Sequence, residues 1–278
     1  MSFKPEHMNA VCEDFQGNDG IGRYVFLPGS DGRAKQISEN FTDVSVKEHP
    51  RRHNIYKGYL EHNGNKIEVA AVSSGMGTPS LDIIVNELYR LGVKRFLRVG
   101  TAGLLQPKYM KAGDFCIATG AVKDDGASRN YVPPEIPAIA SMGIVLAAQK
   151  AAEVLNYTSR IHTGLLHSKA SLYAEEFKTG PMGQENARYM KILSEAGVLA
   201  SEMEASMLFT LASMFNHQMN LKTQCNIPAN HVKAGAICVI LGEGDDFGSA
   251  EMLKKSTLEV VDLSLQTVKE LAQKELKL

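Results

Sequence analysis

Short apolar runs alternate with longer amphipathic segments along this chain of 278 residues. Several of the apolar runs are nearly continuous, which is typical of β-strands covered on both faces. The runs predict strands at residues 24–28, 66–73, 95–100, 114–122, 163–167 and 234–241. Segments with apolar residues three or four positions apart predict helices at residues 80–91, 140–155, 184–195, 202–215 and 250–275.

The order of these elements indicates the fold class. Strands that alternate with helices form βαβ units, so the sequence predicts an α/β fold with a mostly parallel or mixed sheet. No segment has the composition of an interdomain linker, and we expect a single domain over residues 1–278. The polar stretch 216–233 lacks periodicity and predicts a surface excursion between a helix and a strand.

Composition and charge restrict the class of protein. Hydrophobic residues make up 44% and charged residues 22% of the chain, which excludes a disordered, collagenous or disulfide-stapled protein. The net charge of −1 argues against a broad nucleic-acid surface but permits a small basic pocket. We therefore expect no nucleic-acid partner.

The cysteines and the N-terminus predict the compartment. Cys12, Cys116, Cys225 and Cys238 form no C-x-x-C pair, and at least two lie in apolar runs. This pattern is typical of buried thiols in a reducing cytoplasm. The first ten residues contain no signal-like apolar stretch, and no window reaches the ~18 apolar residues of a membrane helix. We expect a cytoplasmic protein without a membrane partner.

The sequence LPGSDGRAKQI, residues 27–37, joins a strand to a helix-like stretch through Gly29 and Gly32. Glycine-rich backbone at a strand end exposes N–H groups that suit an anion, and Arg33 adds a fork of donors that matches phosphate. A plain strand–turn–helix with a surface arginine explains the same residues. This motif alone leaves both interpretations open.

A second strand carries a cation inside an apolar run. In RFLRVGTAG, residues 95–103, Arg98 interrupts the apolar positions and is followed by Gly100 and Thr101. A buried guanidinium needs a partner, either an internal carboxylate or a bound anion. The segment that continues to Gly103 lies where open α/β sheets bind ligands.

Two carboxylates, Glu202 and Glu204, flank Met203 in SEMEAS, residues 201–206. Glutamates in a first helical turn usually do no more than interact favourably with the helix dipole. A carboxylate beside a sugar can instead accept hydrogen bonds from a pair of hydroxyls. Both interpretations fit the spacing.

Other motifs point away from several enzyme classes. SSGMGTPS, residues 73–80, lacks the third glycine of a dinucleotide fingerprint, and Thr78 and Pro79 fit the start of a helix. The chain has no Walker A loop and no H-E-x-x-H, G-x-S-x-G or EF-hand motif. His49 and His53 are four residues apart in HPRRH, but the proline and two arginines between them favour a solvated loop over a metal site.

Taken in order, five segments resemble the nucleoside phosphorylases of the uridine phosphorylase/hexameric purine nucleoside phosphorylase superfamily. They are LPGSDGR, SSGMGTPSLDIIVNEL, KRFLRVGTAG, DDGASRNYVPPEIP and SEMEAS. The resemblance is strong over residues 24–206 and closer to uridine phosphorylase than to the purine enzymes. It implies a three-layer α/β/α sandwich with a central mixed sheet. It also implies phosphorolysis of a nucleoside to free base and ribose 1-phosphate, with uridine as the leading candidate substrate. Inorganic phosphate is the co-substrate, and no metal or cofactor is implied.

The same resemblance implies roles for individual residues. Phosphate contacts are implied for Gly29, Arg33, Arg51, Arg98 and Thr101, with Arg51 reaching the site of a neighbouring subunit. Ribose contacts are implied for His7 of the partner subunit, Met203 and Glu204, and catalysis for Arg98 and Glu204. Base contacts are implied for Thr101, Gly103, Leu172, Tyr173, Glu175, Glu176 and Lys178. The family assembles as homodimers, usually three to a hexamer.

The base-reading segments depart from the family pattern. Uridine phosphorylases carry a glutamine and an arginine where SLYAEEFKTG, residues 171–180, has two glutamates and Lys178. Purine phosphorylases place an acid after the late strand, where this chain has Gly242, with Glu243, Asp245 and Asp246 just beyond. We expect uridine to react faster than inosine, with backbone groups or Lys178 donating to the uracil carbonyls.

Three alternatives stay open at this point. They are a purine nucleoside phosphorylase, a nucleoside hydrolase of the same superfamily, and a paralogue that binds nucleosides without turnover. The hydrolase has no need of a phosphate site, so Arg33, Arg51 and Arg98 together argue against it.

Overall fold

The computed structural model describes residues 3–224, 231–244 and 246–278. Within these ranges, eleven strands form one sheet, and six α-helices connect and cover them. The strands are β1 (Tyr24–Pro28), β2 (Thr42–Lys47), β3 (Ile55–His62), β4 (Asn65–Val72), β5 (Arg95–Leu104), β6 (Phe115–Asp124), β7 (Ala138–Ile139), β8 (Ile161–Lys169), β9 (Ala200–Glu202), β10 (Lys233–Glu243) and β11 (Asp246–Phe247). The helices are α1 (Asp31–Ser38), α2 (Thr78–Arg90), α3 (Met142–Val154), α4 (Gly183–Glu195), α5 (Ala205–Thr223) and α6 (Ala250–Glu275).

The sheet is mixed, as the sequence predicts. Strand β5 lies parallel to both β1 and β10, and β8 lies parallel to both β6 and β9. Strand β10 is antiparallel to β6, and β9 is antiparallel to β5. The path β5–β10–β6–β8–β9 therefore returns to β5 and closes a ring of five strands, from which β1, β4, β3 and β2 extend as an open sheet.

Helices complete the predicted three-layer α/β/α sandwich, which is confirmed. Helix α3 packs against α6, and α2 packs against α5, where the rings of Tyr89 and Phe215 stack with their centroids 3.7 Å apart. Helices α3, α5 and α6 contact the sheet through its buried aliphatic and aromatic side chains. None of the described helices combines the length and the apolarity needed to span a membrane.

Strand β5 extends beyond its predicted end at residue 100, and residues 101–103 are strand rather than loop. They continue the strand because two neighbours pair with them. Thr101 lies opposite Val239 of β10, and Gly103 lies opposite Ser201 of β9. The small residues of GTAG, which the sequence gives as a loop, instead form the strand surface at which the ring closes.

Two predictions around α5 are wrong. Glu202 ends strand β9 instead of beginning the helix, and α5 starts at Ala205. The helix also runs through residues 216–223 of the stretch that the sequence gives as a surface excursion. Asn216 ties this part of α5 to the next strand, because its side-chain amide exchanges two hydrogen bonds with the backbone of Val232. Residues 225–230 of that stretch lie outside the described residues.

The cysteine prediction is confirmed for two of the four thiols. Cys116 and Cys238 are buried free thiols that face each other across β6 and β10, and Cys12 is half-buried. Burial raises the pKa of Cys238 to about 12 and also raises the pKa of Cys116, so both stay protonated and unreactive. Cys225 lies outside the described residues.

Candidate active site

A cavity of about 230 Å³ lies where the carboxyl-terminal parts of β1, β5, β8, β9 and β10 meet. Nine of the expected site residues line it: Gly29, Arg33, Arg98, Thr101, Gly103, Leu172, Glu176, Met203 and Glu204. Eight others line it as well: Met76, Gly100, Ala102, Lys169, Ser201, Glu202, Leu241 and Phe247. We call Gly29, Arg33, Arg98, Glu202 and Glu204 the Arg98 cluster, and Gly103, Lys169, Leu172, Glu176 and Phe247 the Lys169 cluster.

Arg98 is buried on β5 and is held by two carboxylates. Its Nε lies 2.7 Å from Oε2 of Glu202, and its Nη2 forms an ion pair with Glu204. Although burial alone would lower it, the two carboxylates raise the pKa of Arg98, so the guanidinium is always charged. Its Nη1 is buried and has no hydrogen-bond partner among the described residues. One donor of this cation is therefore left for a further acceptor in the cavity.

Gly100 makes room for this arrangement. A Cβ at that position would lie 2.9 Å from Nη2 of Arg98 and 2.9 Å from Sγ of Cys238. Both distances are shorter than real Cβ contacts allow. A larger residue at position 100 would therefore have to displace the Arg98 guanidinium or the Cys238 thiol.

Arg33 is a second cation in the same wall. It lies in the first turn of α1, where Ser30 caps the helix by accepting a hydrogen bond from the backbone N–H of Arg33. Its guanidinium forms no hydrogen bond or ion pair with any residue that the structure describes. Burial and the nearby charge of Arg98 lower the pKa of Arg33. A buried and a partly buried cation that repel each other form a site that an anion stabilises.

Glu202 joins Arg98, Ser168 and the start of α5. Its carboxylate accepts hydrogen bonds from the backbone N–H groups of Glu204 and Ala205, at 2.8 to 3.0 Å, and also pairs with Arg98 and the hydroxyl of Ser168. Burial would raise the pKa of Glu202, but the charge of Arg98 and these hydrogen bonds lower it. The carboxylate that sequence reasoning treats as a first-turn glutamate thus caps α5 from the end of β9.

Glu204 has a different environment two residues further on. One oxygen, Oε1, accepts a 2.6 Å hydrogen bond from the N–H of Gly77, at the start of α2, and the other faces Arg98. Burial and the charge of Glu202 raise the pKa of Glu204, and they outweigh the opposing effect of Arg98. Glu204 makes fewer protein contacts than Glu202, and its carboxylate is the one better placed to exchange them for a ligand.

The Lys169 cluster forms another part of the wall. Lys169 ends β8 and is buried, and its Nζ lies 3.0 Å from Oε2 of Glu176. The same Nζ donates to the backbone oxygen and to Oγ of Ser201, at 3.1 and 3.0 Å. Glu176 lies in a π-helical turn, Leu172–Glu176, whose first residue also lines the cavity. Sequence reasoning did not single out Lys169, which stands two positions after the predicted strand 163–167. A cation that follows an apolar run is a weaker signal than Arg98, which lies inside one.

Several expected site residues lie outside the cavity lining of this chain. His7 contacts Glu87 on α2 through Nδ1 at 2.8 Å, and Arg51 is exposed in the turn before β3. Tyr173 is 68% exposed and packs edge-on against Phe177. Lys178 is exposed and lines a neighbouring cavity.

The residues proposed as a base-protonating acid are placed as follows. Glu243 is exposed and lines the neighbouring cavity together with Glu176 and Lys178, whereas Gly242 is buried on β10. Asp245 lies outside the described residues. Glu243 thus lies outside the lining of the main cavity, in a second depression that shares Glu176 with it.

Glu175 belongs to a separate polar group with Asp124 and His167, whose ligand atoms all lie within 4.8 Å of one another. His167 is fully buried, its Nε2 lies 3.2 Å from Oδ2 of Asp124, and its Nδ1 contacts Ser201 Oγ. Oε1 of Glu175 accepts two backbone hydrogen bonds, and burial together with Asp124 raises the pKa of Glu175. Among the described residues, this group has the geometry closest to a metal site, but His167 and Asp124 hydrogen-bond each other, and Nε2 of His167 lies 3.9 Å from Oε2 of Glu175.

The sequence profile of the phosphorylase superfamily matches residues 23–276. Uridine phosphorylase of Treponema pallidum is 32% identical over 225 residues, which are 80% of this chain and 78% of that protein.

Two further relatives are similar to the same extent. Uridine phosphorylase of Thermococcus kodakarensis is 32% identical over 237 residues, 83% of this chain and 77% of that protein. Guanosine phosphorylase of Halorubrum lacusprofundi is 32% identical over 222 residues, 80% of this chain and 79% of that protein. The matched relatives therefore include proteins named for a pyrimidine and for a purine nucleoside.

Proposed function

The chain belongs to the phosphorylase superfamily and is a nucleoside phosphorylase, a pentosyltransferase, and we propose that uridine is its preferred substrate. The reaction transfers the pentose from the base to inorganic phosphate and gives uracil and ribose 1-phosphate. Two uridine phosphorylases among the relatives described above support this substrate, and the guanosine phosphorylase supports a purine nucleoside as the second candidate. We infer a role in nucleoside salvage or catabolism in the cytoplasm.

One observation carries the proposal: two arginines and a glutamate share the wall of a single cavity. Arg33 and Arg98 supply positive charge with free donors, and Glu204 supplies an acceptor beside them. Phosphate at the two arginines and ribose hydroxyls at Glu204 would bring a phosphate oxygen close to C1′ of the sugar. A hydrolase that uses water has no use for such paired cations.

The mechanism follows from the charges that develop in the reaction. As the glycosidic C–N bond breaks, its electron pair stays with the base and positive charge grows on the ribose. A phosphate anion fixed beside the sugar stabilises this charge and then forms the new C–O bond. In this scheme Arg98 and Arg33 orient the phosphate, Gly29 and Thr101 complete its site, and Met203 and Glu204 hold the ribose.

The uracil preference is supported by the positions of Gly242 and Glu243, the two described residues nearest the place where purine phosphorylases carry their acid. Gly242 is buried on β10, and Glu243 lies in the neighbouring cavity. A pyrimidine leaves as an anion whose charge spreads over two carbonyl oxygens, so hydrogen-bond donors suffice.

Release of free base from a panel of nucleosides, with and without inorganic phosphate, tests this function. We expect phosphate-dependent release, fastest from uridine. Release that does not need phosphate would indicate a hydrolase, and binding without release would indicate a paralogue without turnover. Faster release from inosine that disappears on changing Glu243, Asp245 or Asp246 would establish the purine alternative.

We also propose that the working enzyme is at least a dimer, with Arg51 and His7 of the partner subunit completing each site. Neither side chain reaches the cavity of its own chain, and Arg51 is exposed. Light scattering gives the number of subunits. Mixing Arg51→Ala chains with Arg98→Ala chains is expected to restore part of the activity, since some sites then combine two intact contributions. No recovery in mixed assemblies would mean that each chain holds a complete site.

A further inference from the structure

We propose that Lys169 and Glu176 together read the base, and that they select a ring carbonyl next to a ring N–H whatever the size of the ring. Lys169 would donate to the carbonyl oxygen, and Glu176 would accept from the N–H. The inference rests on the proposed function, because it assumes that a nucleoside occupies the cavity. It adds a substrate class, nucleosides of oxo bases, it adds Lys169 to the base contacts, and it gives Glu176, already expected to contact the base, a defined role.

The first observation is that this ion pair is buried in the cavity wall. Lys169 is 3% and Glu176 is 6% exposed, and both line the cavity. Buried ion pairs add little net stability, because each charge loses its hydration. A buried pair that also faces a ligand cavity is a candidate for recognition.

The second observation is that Lys169 is held in place from behind. Its Nζ donates to the backbone oxygen and the hydroxyl of Ser201, and that hydroxyl also contacts Nδ1 of the buried His167. These contacts fix the ammonium group at the end of β8. A fixed donor discriminates between ligand atoms better than a lysine on a free surface would.

The third observation is the place of the Glu176 carboxylate. Its Oε1 occupies the space that a Cβ of residue 103 would take, so the carboxylate lies against the backbone of Gly103. Within the described part of the chain, Oε1 accepts no hydrogen bond, whereas Oε2 faces Lys169. Nζ makes two hydrogen bonds, both to Ser201, and Oε2 of Glu176 pairs with it by charge but has no hydrogen-bond partner among the described residues. One N–H of the ammonium and one oxygen of the carboxylate are therefore left for a ligand.

The hydrogen-bonding groups on the edge of each base determine which bases fit this pair. Uracil presents O4 next to N3–H, and hypoxanthine and guanine present O6 next to N1–H, so all three offer an acceptor beside a donor. Cytosine and adenine present an amino group next to an unprotonated ring nitrogen, which is the reverse order. The donor of Lys169 and the acceptor of Glu176 match the first group and leave two unpaired polar contacts with the second.

The same contact assists the reaction. When the C–N bond breaks, the electron pair remains on the base, and the negative charge is shared with the carbonyl oxygen. The ammonium of Lys169 at that oxygen stabilises the anion more than the neutral nucleoside, so it lowers the barrier. The released base anion then takes its proton from water. This assignment replaces Lys178, which lines the neighbouring cavity, as the cationic donor to the base.

The experiment measures kcat/KM of the full-length protein, with saturating phosphate, for uridine, inosine, guanosine, cytidine and adenosine. For the unchanged protein, we expect the two amino nucleosides to react at least about 100-fold more slowly than uridine, because unpaired buried polar groups reject them. Lys169→Met should lower kcat/KM for uridine by about 100-fold and leave the KM for phosphate unchanged. Lys150→Met is the matched control, since Lys150 forms an exposed pair with Glu153 and should leave all rates unchanged.

A leaving-group comparison separates a contact with the base from a merely structural role. The base of 5-fluorouridine is a more stable anion than uracil, so it depends less on Lys169. We expect Lys169→Met to slow 5-fluorouridine clearly less than uridine. An equal loss for both substrates would overturn the catalytic part of the inference.

Removing one charge leaves the other unpaired, so the exchange variant Lys169→Glu with Glu176→Lys keeps an ion pair and reverses donor and acceptor. We expect the ratio of uridine to cytidine kcat/KM to fall at least tenfold in this variant. An unchanged ratio, in a protein whose melting temperature is retained, would overturn the selection rule. If the unchanged protein cleaves none of the five nucleosides with phosphate, the proposed function itself fails.

Discussion

The Arg98 cluster and the Lys169 cluster face the same cavity but are built differently. In the Arg98 cluster, one guanidinium on a central strand is held by two carboxylates, and one of these also caps a helix through backbone N–H groups. In the Lys169 cluster, a single ion pair joins the end of a strand to a short π-helical turn. The Arg98 cluster is thus tied to a central strand and to a helix by several contacts, whereas the Lys169 cluster depends on one ion pair and the bonds to Ser201. In our proposals, the first cluster binds phosphate and ribose, and the second reads the base.

The two glutamates of the Arg98 cluster show how environment divides similar residues. Both are buried and both face Arg98, yet the pKa of Glu202 is lowered and that of Glu204 is raised. Glu202 receives several hydrogen bonds besides the arginine, and these stabilise its charge. Glu204 receives one backbone hydrogen bond and the repulsion of its neighbour, so its charge is less well stabilised. These environments are the reason we propose Glu204, and not Glu202, as the carboxylate that binds the ribose.

The largest expected effect comes from breaking the Arg98 cluster. Arg98→Ala should lower kcat/KM by about 100- to 1,000-fold, because a charged contact to the reacting phosphate is lost. It should also lower the free energy of unfolding by about 3–5 kcal/mol, since Glu202 and Glu204 then lack their cation. Steady-state kinetics with varied phosphate and urea unfolding measure the two effects.

Arg95→Ala separates these two effects. Arg95 is a buried arginine on the same strand, and its Nε lies 2.9 Å from Glu275, away from the cavity. Its loss should lower stability to a similar extent while the folded enzyme keeps its activity. Unchanged phosphate affinity in folded Arg98→Ala protein would contradict the assignment of Arg98.

The comparison of the two glutamates can be sharpened by matched amides. Glu204→Gln should reduce kcat/KM about 10- to 100-fold, through weaker binding of the ribose hydroxyls, without lowering the melting temperature. Glu202→Gln should instead lower the free energy of unfolding by about 1–3 kcal/mol, because it weakens the cap of α5 and the pair with Arg98. If Glu202→Gln were the more damaging change to kinetics at unchanged stability, the roles of the two residues would be reversed.

The smallest expected effect concerns acid unfolding. The lowered pKa of Glu202 means that its contribution to stability is complete above the unfolded value of about 4.5 and is lost as the pH falls toward the folded value. Glu202→Gln should therefore flatten the fall in melting temperature below pH 4.5. The effect is partial, because Asp14, Asp125 and Glu275 also have lowered pKa values.

The raised pKa of Glu204 has the opposite effect on how stability depends on pH. This shift favours the folded state at low pH, and the contribution is lost as the pH rises. Glu204→Gln should therefore not flatten the fall in melting temperature at low pH. Glu275→Gln is the control outside the cavity. It should flatten the fall in melting temperature at low pH without changing the kinetics. If the melting temperatures of Glu202→Gln and Glu204→Gln fell in the same way at low pH, the opposite pKa shifts would be contradicted.

Much of the frame could be predicted from the sequence. Apolar runs located six of the strands and helical periodicity located α2, α3, α4 and α6, the last with its observed ends, because both patterns reflect burial on a period that the chain carries locally. Arg98 was identified for the same reason, since a cation inside an apolar strand needs a partner. Strands β2, β3, β7, β9 and β11 were missed. Strand β2 is exposed, and β7, β9 and β11 are only two or three residues long. Strand β3 is eight residues long, but Lys57, Gly58 and Glu61 interrupt its apolar positions.

By itself, then, the sequence determined the α/β class, the mixed sheet and the residues that resemble a nucleoside phosphorylase. Only the tertiary structure decided which of them meet. The partners of Arg98 lie about a hundred residues away along the chain, and Lys169 meets Ser201 only because β8 and β9 pair side by side. Periodicity records how each segment is buried, but it carries no record of which distant segment lies against it. The division between Glu202 and Glu204 and the identity of Lys169 depend on that packing.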